Sequence, residues 1–85
     1  MIYTVYVLKC RDGSLYTGIT TDLKRRLRQH ALGKASKYTR AKLPVRCVYT
    51  EPRRNESSAK KRECAIKALS RAQKLLLVRR RDDGN

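Results

Sequence analysis

Hydrophobic and polar positions change rhythm several times along the chain. Residues 2–8 are β-branched, aromatic or aliphatic on both alternating faces, which predicts a central strand covered on two sides. Arg11-Asp12-Gly13-Ser14 follows. Its Asp-Gly step is a hairpin turn signal, so residues 15–20 are expected to return antiparallel to the first strand. That pairing puts Tyr6 and Tyr16 on neighbouring strands. The period then lengthens. Leu23, Leu27 and Ala31 recur every fourth residue, Thr20-Thr21-Asp22 offers an N-cap and a first-turn acid, and Gly33 suits the position after a helix end. Together they predict a helix over 22–31. Arg26 and His30 are one turn apart and are expected beside the apolar stripe, at the edge of whatever it packs on.

The basic stretch 34–42 predicts a short helical turn, ended by Pro44. Residues 45–50 alternate Val45, Cys47, Tyr49 against Arg46, Val48, Thr50, a third strand. Residues 52–55 read as a turn, and Asn55 is placed to cap a helix running to about residue 69. On that helix Ala59, Glu63, Ile66 and Ser70 share a face, so an acid lies within the stripe expected to meet the sheet. Ser70-x-x-Gln73 is a capping-box pattern opening a last helix through Leu75, Leu76 and Leu77. The order predicts an α/β (α+β) fold, a small three-stranded antiparallel sheet flanked by helices. A chain of 85 residues has room for one domain, set at 1–79, with a short charged C-terminal tail at 80–85.

Charge narrows the partners. Lys and Arg number 22 against 7 Asp and Glu, a formal net charge of +15, and a compact fold carrying it calls for a polyanion. Nucleic acid comes first. An anionic membrane surface comes second: the apolar run 75–78 is far too short to span a bilayer, while Arg79, Arg80 and Arg81 beside it leave a weak surface role open. The N-terminus has no signal-peptide pattern, which points to a cytoplasmic location. Cys10, Cys47 and Cys64 are odd in number and far apart, which argues for reduced thiols and against a disulfide framework or a Cys-x-x-Cys zinc site.

Candidate chemistry is sparse. A magnesium-type ion needs hard oxygen ligands and usually takes one or two carboxylates. Asp12 belongs to a turn, Asp22 to a helix start, Glu51 to a strand end, Glu56 to a first helical turn, and Asp82 and Asp83 to the tail; Glu63 alone points to an interior face. It reads equally as a partly buried acid paired with a neighbouring Lys or Arg. Arg26 has the forked donors that clamp a phosphate, His30 is the only histidine, and Tyr6 and Tyr16 are sheet tyrosines. Each of these, taken singly, is equally a structural residue.

As an ordered set they carry more. Thr4-Val5-Tyr6, then Tyr16-Thr17-Gly18, then Arg26 with His30 one turn later, then Glu63 on a later helix, resemble the GIY-YIG nuclease family over nearly the whole chain. The run from Leu15 to Asp22, continuing into Arg25-Arg26-Leu27-Arg28-Gln29-His30, and the segment Lys37-Tyr38-Thr39-Arg40, are similar to its short stand-alone UPF0213 group. Thr4-Val5 stands where Gly-Ile is usual, and Ile19 where some members carry a lysine. The resemblance implies a GIY-YIG nuclease-like fold and a metal-dependent endonuclease that hydrolyses phosphodiester bonds in DNA; with no Trp or Phe and five Tyr as the only aromatic stacking platforms, low sequence specificity is expected. It implies catalytic roles for Tyr6, Tyr16, Arg26, His30 and Glu63, with Glu63 holding one divalent cation, Mg2+ or Mn2+. Lys34, Lys37 and Arg40 are expected to contact the nucleic acid. The alternative is a nucleic-acid-binding module that cleaves little and takes its specificity from a protein partner.

Overall fold

In the computed structural model, which describes residues 1–83, β1 (Tyr3–Lys9) is the middle strand of a three-stranded sheet ordered β2-β1-β3. β2 (Leu15–Thr20) and β3 (Arg46–Arg53) pair with it antiparallel. The turn between β1 and β2 closes as its sequence predicts. Gly13 takes φ +85, a left-handed conformation that glycine adopts at little cost. The Asp12 carboxylate accepts from the Ser14 backbone N–H at 2.9 Å and from its hydroxyl at 2.6 Å. Register pairs Tyr6 with Gly18 and Leu8 with Tyr16, so these four residues share one face of the sheet.

β3 is longer than alternation predicts. It runs on through Pro52, where a turn was expected. Proline is tolerated there because β3 is an edge strand, paired on one side only, and a residue without an N–H costs no ladder bond on its free edge. A bulge opposite Val7 and Leu8 leaves Val48 as the extra residue.

The helices are set by their caps. Asp22 caps α1 (Leu23–Ala31) by accepting from the Arg25 N–H. Ser36 caps the single turn α2 (Lys37–Arg40), and Asn55 caps α3 (Glu56–Lys67). The Ser70/Gln73 capping box closes reciprocally, each side chain accepting from the other's backbone N–H, and starts α4 (Arg71–Asp83). The backbone of 80–83 thus continues a helix over part of the segment read as a tail, whose last residues, 84 and 85, lie outside the described ones.

Successive β1 residues face opposite ways, and Val5, Tyr6, Val7 and Leu8 are all buried, so both faces of the strand are covered. Val5 and Val7 pack with Ala59 and Ile66 of α3, supported by Leu77 and Val78 of α4. That face is the apolar core. The other face carries Tyr6 and Leu8 and receives α1 and α2, where the contacts are polar and aromatic.

Candidate active site

Two strands and two short helices supply an aromatic cluster. The Tyr6 phenol is 2.8 Å from His30 Nε2, and His30 Nδ1 is 2.9 Å from Thr39 Oγ1. The His30 ring stands edge-on to Tyr6 at 5.6 Å and to Tyr16 at 5.4 Å between centroids. Tyr16 in turn stacks loosely on Tyr38, 6.0 Å away and tilted by 24°. Lys42 Nζ lies 4.4 Å from the Tyr38 centroid and is held there by Asp12 at 2.7 Å. Asp12 is kept well below the usual carboxylate range, chiefly by that bond and then by Ser14.

Gly18 makes the cluster possible. A Cβ at that position would lie 2.7 Å from the Tyr6 hydroxyl oxygen and 2.8 Å from Cζ, closer than carbon atoms approach. The hydroxyl end of the Tyr6 ring therefore lies against β2 at Gly18, a fit only glycine permits.

Burial divides the site residues into two kinds. Tyr6 is 2 % exposed and His30 1 %, and burial is the main reason the Tyr6 phenol is pushed well above its ordinary range and His30 below its own. Arg26 lowers His30 further. Tyr16 is only half-buried, and its hydroxyl makes no hydrogen bond to another side chain among the described residues. His30 was expected at the edge of an apolar stripe; it is instead the one fully buried residue of α1, while Ala31 is exposed. The helix turns its histidine inward because the sheet face it meets presents a phenol and α2 presents the Thr39 hydroxyl.

Arg26 and Glu63 meet at Tyr6 through charge and make no direct bond to it. The guanidinium favours ionisation of that phenol and the carboxylate opposes it. Arg26 also lines an open groove of about 270 Å³ with Thr20, Thr21, Asp22, Arg25 and Gln29. Glu63 comes from α3, and its single ion pair among the described residues is to Lys67 at 3.6 Å, one turn on and 54 % exposed. Glu51, expected only to end a strand, has a side chain as buried as Glu63's, 19 % against 20 % exposed. It differs in being saturated. Tyr49 donates to it at 2.6 Å, and Arg53 and Arg62 each at 2.9 Å. Burial pushes the Glu51 carboxyl up, but these donors outweigh it and hold it below the ordinary range.

A magnesium-like ion bound by one protein carboxylate, with water and substrate phosphate completing its shell, suits Glu63, which is mostly buried and only weakly paired. Among the described residues no three His, Cys, Asp or Glu gather into a larger cluster. Lys34, Lys37 and Arg40 lie exposed on the segment between α1 and the end of α2, beside the His30–Thr39 contact. Thr39, Tyr38, Lys42 and Glu51 escaped the sequence reading as site residues. For the first two the signal was present in the Lys37-Tyr38-Thr39-Arg40 segment, without a geometry to interpret it.

The family profile described as the GIY-YIG catalytic domain matches residues 2–75. The chain belongs to the GIY-YIG family. A UPF0213 protein of Natronomonas pharaonis is 51 % identical over 74 residues, 87 % of each chain. One from Streptococcus agalactiae serotype V is 48 % identical over 75 residues, 88 % of this chain and 85 % of that one. The solution structure of a UPF0213 protein from Bacillus halodurans has a TM-score of 0.60 at 47 % identity, covering 92 % of this chain and 83 % of that one. An E. faecalis structure gives 0.64 at 42 %, covering 93 % and 84 %. Within that family the chain is similar to UPF0213 proteins, and it has the three-stranded antiparallel sheet its sequence predicts.

Proposed function

We propose that this GIY-YIG protein is a divalent-metal-dependent endonuclease that hydrolyses DNA phosphodiester bonds with little sequence discrimination. The observation that carries the reading is the convergence on Tyr6 of Tyr16, His30, Arg26 and Glu63, from three other segments of the fold, in a member of a nuclease family. Residues 1–79 act as one catalytic unit, and the work is cytoplasmic. No helix of the described residues is long and apolar enough to cross a membrane. Cys10, Cys47 and Cys64 are all free thiols, which suits a reducing compartment.

Differences in exposure support a division of roles. Tyr16, half-buried with an unengaged hydroxyl, orients the attacking water and in its phenolate form takes the water's proton. Tyr6 and His30 support it from behind. Arg26 places its forked donors on the phosphoryl oxygens, where negative charge grows in the transition state. Glu63 would hold a Mg2+ or Mn2+ ion, which would supply Lewis-acid stabilisation of that charge and of the leaving oxygen. Lys34, Lys37 and Arg40 hold the flanking phosphates, and a protein partner supplies any selectivity the chain lacks.

The test is cleavage of plasmid, branched and single-stranded DNA, with parallel RNA substrates, in magnesium or manganese against a chelator control. Metal-dependent nicking of several unrelated sequences is the expected result. Tight binding of every substrate with no cleavage under any metal would establish a binding module instead.

A further inference from the structure

Tyr6, His30 and Thr39 form an unbroken polar chain through β1, α1 and α2. It runs from the Tyr6 phenol to His30 Nε2 at 2.8 Å, from His30 Nδ1 to Thr39 Oγ1 at 2.9 Å, and from the Thr39 hydroxyl to the Ser36 carbonyl at 3.3 Å. Exposures of 2 %, 1 % and 0 % make all three groups buried, and the protons of buried groups are expected to be used in hydrogen bonds.

The chain holds three protons when the imidazole is neutral: one on Tyr6, one on His30 and one on Thr39. Suppose His30 carries its proton on Nε2. It then donates to Tyr6, Thr39 donates to Nδ1, and the Tyr6 proton has no acceptor, since the Tyr6 hydroxyl makes no other hydrogen bond among the described residues. The Ser36 carbonyl also loses its hydroxyl donor. Suppose instead the proton sits on Nδ1. Tyr6 donates to Nε2, Nδ1 donates to Thr39, and Thr39 donates to Ser36. All three protons are used. An unmade bond at a buried donor disfavours the first arrangement by roughly tenfold or more.

We propose that Thr39 is a positioning residue which, by giving its own proton to the Ser36 carbonyl, holds His30 in the Nδ1–H tautomer and so fixes Tyr6 as a donor into the protein. The Tyr6 proton then points at His30, and the phenol cannot serve as a proton donor to a phosphoryl or leaving oxygen. Water activation is left to Tyr16. This catalytic consequence rests on the nuclease reading above, whereas the tautomer does not. The groups facing His30 are Tyr6 from β1, Tyr16 from β2, Arg26 from its own helix and Thr39 from α2, and Arg26 is the only permanent charge among them.

Because the chain has a single histidine, its imidazole nitrogens are unambiguous in a long-range proton–nitrogen correlation spectrum of labelled protein at neutral pH. Expected is a protonated Nδ1 and a bare Nε2 in wild type. Thr39→Val, which keeps the shape and removes the hydroxyl, should move the population towards Nε2–H and lower kcat about tenfold with KM within about twofold. Thr39→Ser should restore both. Wild-type protein with mainly Nε2–H overturns the proposal, as does Thr39→Val with an unchanged tautomer and unchanged kcat. If Thr39→Val does not fold, the wild-type spectrum and Thr39→Ser decide, and loss of the Nδ1–H form in Thr39→Ser overturns it. A wild-type protein that folds, shows the Nδ1–H tautomer and cleaves nothing overturns the nuclease reading and leaves the tautomer assignment standing.

Discussion

Glu51 and Glu63 are equally buried, yet only one is available for chemistry. Three donors fill the Glu51 oxygens, while Glu63 has one half-exposed lysine at 3.6 Å. Such an i,i+4 pair contributes only about 0.3–0.5 kcal/mol. Glu63→Gln is therefore expected to leave thermal stability almost unchanged while metal affinity and cleavage collapse and DNA binding persists. A variant with full cleavage and a lower melting temperature would show that Glu63 is a structural acid. Arg26 differs from its neighbour in burial, being half-buried where Arg25 is exposed. Arg26→Ala should lower kcat far more than affinity, and Arg26→Lys should not rescue it, because an ammonium cannot reproduce the planar fork. Equal losses from Arg25→Ala and Arg26→Ala would reduce the effect to bulk charge. His30 supplies a pH dependence. Its folded pKa lies below the unfolded value of about 6.5, so the unfolded chain binds more protons between the two. The stability of the neutral buried ring is present above about pH 6.5 and is lost as pH falls towards the folded value. Denaturant midpoints measured from pH 8 to 5 should decline below about 6.5, and a flat profile would contradict a neutral buried imidazole.

At the level of elements, the β1–β2 pairing is what brings the aromatic residues together, and Gly18 is its most sensitive point. Gly18→Ala puts a methyl group 2.7 Å from the Tyr6 hydroxyl, so the ring must move and the Tyr6–His30 bond must lengthen or break. A loss of about 1–3 kcal/mol in stability together with most of the cleavage activity is expected. Wild-type melting and turnover in this variant would mean that the ring has somewhere else to go. Elements whose causes are local were legible in the sequence: the Asp12-Gly13 turn, the cap at Asn55, the Ser70/Gln73 box, and the alternation that makes β1 central, whereas Asp22, read as the first residue of α1, is its cap. The burial of His30 was not, because a hydrophobic stripe identifies the face of α1 that meets apolar surface and says nothing of a sheet face presenting a phenol. The extent of β3 was hidden for a related reason. Pro52 signals a turn unless one knows that β3 lies at the edge, and strand order is a property of the assembled sheet. Tyr6, Tyr16, Arg26, His30 and Glu63 were singled out as an ordered family pattern, and nothing local to any one of them would have separated it from a structural residue.

The whole molecule is defined electrostatically by its excess of 15 positive charges on 85 residues. Few of these charges are neutralised internally among the described residues. Among the described residues the ion pairs engage Lys42, Arg53, Lys60, Arg62 and Lys67, and all of them draw on just four acids. Lys34, Lys37 and Arg40 are outside those pairs and exposed, on the segment that carries the Tyr38 and Thr39 contacts to Tyr16 and His30. A duplex lying along this segment would meet them before reaching Arg26. Each phosphate they neutralise releases counterions, so log affinity for duplex DNA should fall linearly with log salt. Replacing all three by Ala should weaken binding at low salt and reduce the slope by roughly three contacts' worth, about 2.7 if each cation meets one phosphate. The loss should be similar for unrelated sequences, since phosphate contacts position the protein and do not read bases. Turnover at saturating DNA should change little, which separates these residues from Arg26, whose removal acts on the transition state. Titrations at four or five salt concentrations, for wild type and the triple variant on two unrelated duplexes, provide the measurement. An unchanged slope in the triple variant would place the DNA on another face of the molecule and leave these three residues as a solvated surface.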